Sequence, residues 1–319
     1  MERMMTTDNV YHDGEIAVQE RAGVRKIADR LSQMIRPSMP DQHREFFGML
    51  PFVVTGLTDD RGRPWATMCV GAPGFITSPD ETTLQVASAP LLAGELGLQM
   101  NEGDKVGLLG IELPTRRRNR MNGVISQTGA DGFAVHVEQS FGNCPQYIQT
   151  RSVEPRGTGA AQTVGPVERN NALTGEVVEL IEQADTFYIS SRTRELSAGS
   201  DSGVDVSHRG GRPGFVSVGT DGVLSFPDFS GNRLFNTLGN IADDGRVGMA
   251  FPDFVTGDLL LLTGRAGIVW DGERLEGFEG AQRLVDVKVD EVVHARSALP
   301  LAGSLIEQSP KLARTGVWQ

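Results

Sequence analysis

The sequence predicts a mainly β protein with flanking helices, folded as two small antiparallel β-barrels that repeat one pattern and pack as a pseudo-dimer. Three observations carry this. Short apolar runs rich in β-branched residues alternate with Gly, Asp and Pro turns along most of the chain. Glycine is frequent, at 39 residues, and aromatics are few, at 6%, which favours turns and short strands over long helices. Several runs recur in the same order in each half of the chain. Closing each set of strands into a barrel removes exposed sheet edges.

In chain order, residues 1–14 are polar. A helix is expected over 15–35, with Val24, Ile27, Ala28, Leu31 and Ile35 on one face, ended by Arg36-Pro37. Residues 41–47 add a further turn. Strands are expected at 52–55 and 64–71 around a turn at 59–62, then at 83–88, 105–111, 116–125 and 134–139, with a short helix over 91–100. Residues 156–167, RGTGAAQTVGPV, read as a linker. The expected organisation is therefore 1–155 for the N-terminal helix and first barrel half, 156–167 for the linker and 168–319 for the second half. In that half Thr174 caps a helix with Val177, Leu180, Ile181 and Ala184 on its apolar face. Strands follow at 187–191, 214–218, 222–226, 258–269 and 284–293, with a loop at 204–212.

The repeat pairs Phe52-Val-Val-Thr with Phe187-Tyr-Ile-Ser, and Gly62-Arg63-Pro64 with Gly211-Arg212-Pro213. It also pairs Leu84-Gln-Val with Leu224-Ser-Phe, Lys105-Val-Gly-Leu with Arg246-Val-Gly-Met, and Asn122-Gly-Val with Ala266-Gly-Ile. Two related barrels on one chain pack like the protomers of a dimer, with a ligand cleft between them.

A net charge of −11 argues against a general nucleic-acid role, because phosphate backbones need a basic surface. Cys69 and Cys144 give neither a disulfide framework nor zinc spacing, and no metal site is expected. No apolar leader or membrane-length run is present, so a cytoplasmic protein is expected. Neither GxGxxG with an acidic ribose ligand nor GxxxxGK occurs, so neither a Rossmann unit nor a nucleotide triphosphatase is expected.

Residues 226–253, FPDFSGNRLFNTLGNIADDGRVGMAFPD, organise the second half. A helix is expected over 232–242, with Leu234, Phe235, Leu238 and Ile241 on one face and Asn232, Asn236 and Asn240 on the other, flanked by Arg233 and Thr237. Short amides, a hydroxyl and a guanidinium at a helix start suit an anion. The alternative is an Asn-capped surface helix without a ligand.

DVSHRGGRPGFV at 205–216, PDFSGNRLFNTLGNI at 227–241 and GNCPQYIQTR at 142–151 resemble the pyridoxamine 5′-phosphate oxidase-related family, especially its long members with two such halves. The resemblance spans most of the chain. It implies a six-stranded split barrel in each half, FMN at a barrel–barrel interface, and redox chemistry. It implies a phosphate site at the turn and helix after a barrel hairpin, matching Asn232, Arg233, Asn236 and Thr237 here. The substrate-phosphate residues of the oxidase proper are not found, so pyridoxamine phosphate is not the expected substrate.

Further candidates surround that motif. Ser207, His208 and Arg209 sit in an expected turn, where Arg209 can meet a phosphate and His208 a flavin edge or a substrate proton, or simply water. Arg116, Arg118 and Arg120 share one face of an expected strand, which either lines an anionic pocket or forms a basic outer edge. Gln146 and Tyr147 can reach a flavin ring, beside a structural thiol at Cys144. Asp13 is expected to cap the first helix. The expectation is an FMN-dependent oxidoreductase with one strong site per chain. The rivals are a non-catalytic flavin-binding protein for storage or sensing, and a haem-binding relative with His208 or His136 as axial ligand. The expected partners are FMN and a small-molecule substrate or electron donor, with a homodimer allowed and neither nucleic acid nor membrane.

Overall fold

The computed structural model describes residues 10–157, 165–173 and 175–318. Most of the expected linker, and the expected cap Thr174, lie outside the described residues. Three short helices lead in: α1 (Asp13–Arg21), α2 (Arg25–Leu31) and α3 (Asp41–Gly48). Strands β1 (Phe52–Thr58), β2 (Pro64–Val70), β3 (Ile76–Thr77) and β4 (Thr83–Val86) precede α4 (Ala93–Leu96). Then come β5 (Lys105–Glu112), β6 (Arg117–Gly129), β7 (Gly132–Gly142), β8 (Thr150–Pro155) and β9 (Val167–Asn170). The second half holds α5 (Gly175–Gln183), β10 (Thr186–Arg192), β11 (Val204–Gly210), β12 (Ser217–Val218), β13 (Val223–Phe229) and α6 (Asn236–Asp243). It continues through β14 (Arg246–Pro252), β15 (Leu259–Val269), α7 (Glu273–Glu276), β16 (Ala281–Ala295) and β17 (Leu301–Glu307).

The fold is mainly β and its named strand pairs are antiparallel. One sheet runs β2-β1-β5-β6-β7-β4-β3, and the other runs β11-β10-β14-β15-β16-β13-β12. The two orders are the same once each strand is replaced by its counterpart, so the repeat is present in the topology. Each sheet has its own apolar core. Val53, Leu84 and Met121 belong to the first and Phe187, Phe226 and Met249 to the second. A third cluster, with Val54, Trp65, Tyr188 and Leu261, lies between the sheets.

The sheets meet reciprocally. A Cβ at Gly107 of β5 would lie 2.6 Å from the carbonyl oxygen of Val204, the first residue of β11. A Cβ at Gly248 of β14 would lie 2.4 Å from the carbonyl oxygen of Pro64, the first residue of β2. The same backbone approach is made twice, once in each direction, which is how a two-fold interface is built. Only glycine allows it at either place.

Registers correct parts of the predicted repeat. Gly107 pairs with Gly56 and Gly248 with Ser190, so Val53 corresponds to Phe187 and Val54 to Tyr188. The Phe52–Phe187 match is therefore one residue out, and a slip of one exchanges the two faces of a strand. Gly211 corresponds to Gly71 rather than to Gly62. GAPGF at 71–75 and GRPGF at 211–215 form one turn, with Gly74 at φ 96° and Gly214 at φ 87°. Phe75 N donates to Ala72 O and Phe215 N to Arg212 O, both at 2.9 Å. Gly123 corresponds to Gly264, not Gly267, each at the bulge where its strand shifts register. The matches of 84–86 with 224–226 and of 105–108 with 246–249 agree with the registers.

Several element boundaries also differ from expectation. Gly23, at φ 70°, divides the expected helix over 15–35 into α1 and α2. The cap of α1 is His12, whose Nδ1 accepts from Gly14 N, and not Asp13. The helix over 91–100 shrinks to α4, and the helix over 232–242 starts only at Asn236. The expected loop at 204–212 is strand β11, because Val204 and Val206 alternate with polar residues and its glycines follow the strand. The expected last strand, 284–293, is followed by β17, which returns to pair with β8 of the first half. Among the described residues, no helix is long and apolar enough to cross a membrane.

Candidate functional site

A cleft with a cavity volume of about 100 Å³ opens between β6 of the first half and β11, β13 and α6 of the second. Of the residues expected to bind the flavin, all but Arg116 line it, namely Arg118, Gln146, Tyr147, Ser207, His208, Arg209, Asn232, Arg233, Asn236 and Thr237, while Asn240 of the expected stripe does not. Arg116 precedes β6 in a left-handed turn at φ 62° and is turned away. Its guanidinium donates to Ile148 O at 3.0 Å and to Glu307 at 2.7 Å. Arg118 and Arg120 keep the shared strand face that alternation predicts.

The cavity wall is cationic. Arg118, Arg120, Arg209, Arg233 and Arg283 line it, against the carboxylate of Asp228. Arg209 and Arg283 pair with Asp228 at 2.9 and 2.8 Å, and Arg120 pairs with Asp205 at 2.9 Å. Arg118 donates through Nε to Cys144 O at 2.8 Å and has no carboxylate partner among the described residues. Burial, with Arg120 and Arg209 nearby, pushes its pKa down to about 9, which still leaves it charged at neutral pH. His208 is held well below its ordinary pKa by burial and by Arg118, Arg209 and Arg151, so its ring is neutral. Arg209 Nε, Asn143 Nδ2 and His208 Nε2 are buried without a hydrogen-bond partner among the described residues. Such donors carry a desolvation cost that a ligand acceptor can offset. The aromatic part of the wall includes Tyr147 and Phe229, with ring centroids 5.1 Å apart, and Phe235 under the Arg283 guanidinium at 4.9 Å.

Helix α6 begins at the cavity without a side-chain cap. Arg233 and Phe235, at φ 64° and 65°, hold left-handed conformations that non-glycine residues seldom adopt. The first residues of α6, Asn236, Thr237 and Leu238, line the cavity, and the first amides of a helix have no partner within it. The expected anion-facing Asn stripe is otherwise engaged. Asn236 Oδ1 accepts from Arg120 Nη1 at 2.9 Å, and its Nδ2 donates to Glu15 Oε1 at 2.5 Å. Asn240 Nδ2 donates to Ser191 Oγ at 3.0 Å. Thr237 and Ser207 share a hydroxyl bond of 2.7 Å. These side chains hold the helix start in place more than they reach outward.

Sequence reasoning missed Glu15 and Asp205 as parts of the site's support; Arg120, expected on the pocket face, pairs with Asp205. Helix α1 crosses α6 where Gly239 approaches Glu15, leaving 2.6 Å between Glu15 Cα and a would-be Cβ on Gly239. Burial pushes the Glu15 carboxyl up from 4.5 to about 8. The folded state thus binds this proton more tightly than the unfolded chain. The associated stability is full below about pH 4.5 and is lost as pH rises through about 8. Glu15→Gln is expected to flatten the loss of melting temperature between pH 5 and 8. An unchanged pH profile would remove Glu15 as its source.

The corresponding position in the other half is apolar. Counting along the paired strands from Gly107 and Gly248, Leu259 and Leu261 stand where Arg118 and Arg120 stand. Counting from Gly71 and Gly211, Met68 stands for His208. Leu92, the left-handed residue before α4, matches Phe235, so Ala93 and Gly94 replace Asn236 and Thr237. Met68, Leu96, Leu259 and Leu261 pack into the cluster between the sheets. The polar cavity has no polar counterpart there.

No protein-family model matches the sequence, and no curated protein matches it. Among solved structures, the chain is similar to HupZ of Group A Streptococcus, at 14% identity and a TM-score of 0.30 over 38% of this chain and 98% of that one. It is similar to a Lactobacillus delbrueckii protein provisionally described as a pyridoxamine 5′-phosphate oxidase, at 18% identity and a TM-score of 0.30 over 39% and 94%. It is also similar to a Bacteroides thetaiotaomicron protein provisionally described as a 5-nitroimidazole antibiotic resistance protein, at 10% identity and a TM-score of 0.29 over 45% and 98%. In each case less than half of this chain covers nearly all of the other. The fold described above is read from this chain's own strand order.

Proposed function

We propose that the chain is a cytoplasmic FMN-dependent oxidoreductase built as a pseudo-dimer of two split barrels, with one flavin site between them. The observation that carries this is the arginine-lined cavity, with its unpartnered buried donors, at the uncapped start of α6. Arg233 and the α6 amides would take the phosphate, and Arg118 and Arg120 keep the surrounding potential positive. Tyr147, Phe229 and Phe235 supply an aromatic wall suited to a flat ring. Neutral His208 can donate or accept at Nε2 toward the ring or a substrate. Bound flavin supplies electron transfer to and from a small-molecule partner. The parts of the chain on either side of 156–167 each contribute one wall, so neither half holds the site alone.

Titrating cofactor-free protein with FMN is expected to end at one flavin per chain. Two equivalent sites, or none, would overturn the reading. Turnover of NADH or NADPH by the loaded protein separates an enzyme from a flavin carrier. One observation favours a haem instead, namely the buried, unpartnered Nε2 of His208. His136 is exposed and does not line the cavity. A visible spectrum of the purified protein discriminates, since a Soret band in place of flavin bands would select haem.

A further inference from the structure

A second, open chamber of about 600 Å³ adjoins the cationic cavity and shares Arg118, Asn143, Cys144 and Asn232 with it. Its remaining walls are largely apolar, from Leu31, Met34, Pro145 and Leu234. Two of the arginines at its rim are already engaged. Arg116 bonds Ile148 O and Glu307, and Arg117 donates to Gln42 O at 2.9 Å and covers the Phe46 ring at 4.5 Å. Arg118 makes one bond, to Cys144 O, and like Arg117 has no carboxylate partner among the described residues; unlike Arg117 it also lines the first cavity. Beside it, the Nδ2 atoms of Asn119 and Asn143 are buried without a partner, and Asn119 is only 5% exposed. Among the described residues, no carboxylate lines the chamber.

A largely apolar chamber lined also by a guanidinium without a carboxylate partner and by two asparagines with unpartnered amide donors has a definite complement. We propose that this chamber binds a small apolar carboxylic acid, its carboxylate on Arg118, Asn119 and Asn143 and its hydrocarbon body against Leu31, Met34 and Leu234. A guanidinium and amides aimed together match the two oxygens of a carboxylate. The apolar wall rewards an aromatic or unsaturated body over a polar one. On the reading of the first cavity as the flavin site, this acid would lie beside the flavin, with Arg118 between the two. Its binding as such does not depend on that reading.

The test uses the full-length protein, with and without FMN, titrated calorimetrically with benzoate and with benzyl alcohol as the uncharged analogue. Benzoate is expected to bind at least about tenfold more tightly than benzyl alcohol, with FMN present or absent. Arg118→Leu is expected to remove that preference. Met34→Glu, at a half-exposed position where folding is not at risk, places a carboxylate on the wall and should weaken benzoate about tenfold or more while leaving FMN affinity unchanged. Equal binding of the two probes, no benzoate heat, or insensitivity to Met34→Glu would overturn the proposal. So would displacement of benzoate by FMN, which would put the acid in the first cavity. A protein that binds benzoate as described but takes no FMN would refute the flavin reading and leave the chamber assigned.

Discussion

FMN affinity is expected to fall by about one to two powers of ten when Arg233 is replaced by alanine, as loss of one charge-assisted contact of roughly 1.5–3 kcal/mol implies. Arg233 is exposed and has no carboxylate partner among the described residues, so its removal leaves no buried charge behind. Its backbone is left-handed at φ 64°, and alanine carries the same Cβ penalty there as arginine does. Folding stability should therefore barely change. Riboflavin, which lacks the phosphate, should respond little, and that contrast separates a phosphate contact from a general disturbance. Equal FMN affinity in the variant and the parent, both folded, would sink the idea. Asn236→Ala is not an equivalent probe, because it also releases Arg120 and Glu15.

The largest effect on stability is expected from Arg120→Leu. Arg120 and Asp205 are each about 5% exposed at the side chain and stand 2.9 Å apart. Removing the cation leaves Asp205 buried with only Asn122 Nδ2, at 3.2 Å, to support it. Breaking such a pair from one side costs about 3–5 kcal/mol. Leucine is a fair test because Leu261 holds the corresponding place in the other sheet, so shape alone is not at fault. Adding Asp205→Asn should recover part of the loss, since the unpaired charge goes with it. Chemical denaturation of the two variants decides the matter. A single-variant loss below about 1 kcal/mol would show that the pair does not carry this load.

What could be read from the sequence was what local chemistry fixes. Strands bounded by glycine turns, such as 105–111, were legible because alternation and turn residues agree. The cluster around Asn232 to Thr237 was legible because arginine and amides at a helix start are unusual together. Register was not. Phe52 and Phe187 share a residue type but not a face, and only pairing with Gly107 and Gly248 reveals this. The glycine spacing of GxPGF at 71–75 and 211–215 carries the correct alignment, which the Gly-Arg-Pro identity masks. Strand β11 was hidden because the glycines that follow it look like loop. The second layer of the site was also invisible, since Glu15 reaches Asn236 across 221 positions and no local pattern encodes that bond.

The pairing of β17 with β8 has a consequence for synthesis. Strand β8 is finished at Pro155, but its partner begins only at Leu301. At about 5–20 residues per second, roughly seven to thirty seconds pass before that partner is made. Through this interval the nascent chain carries a β edge whose amides and carbonyls lack their final mates, the kind of edge that recruits strands from other chains. The first sheet can close around its own core meanwhile, because β1 to β7 pair only with one another. The nascent chain thus carries one adhesive margin that is sealed only when β17 emerges.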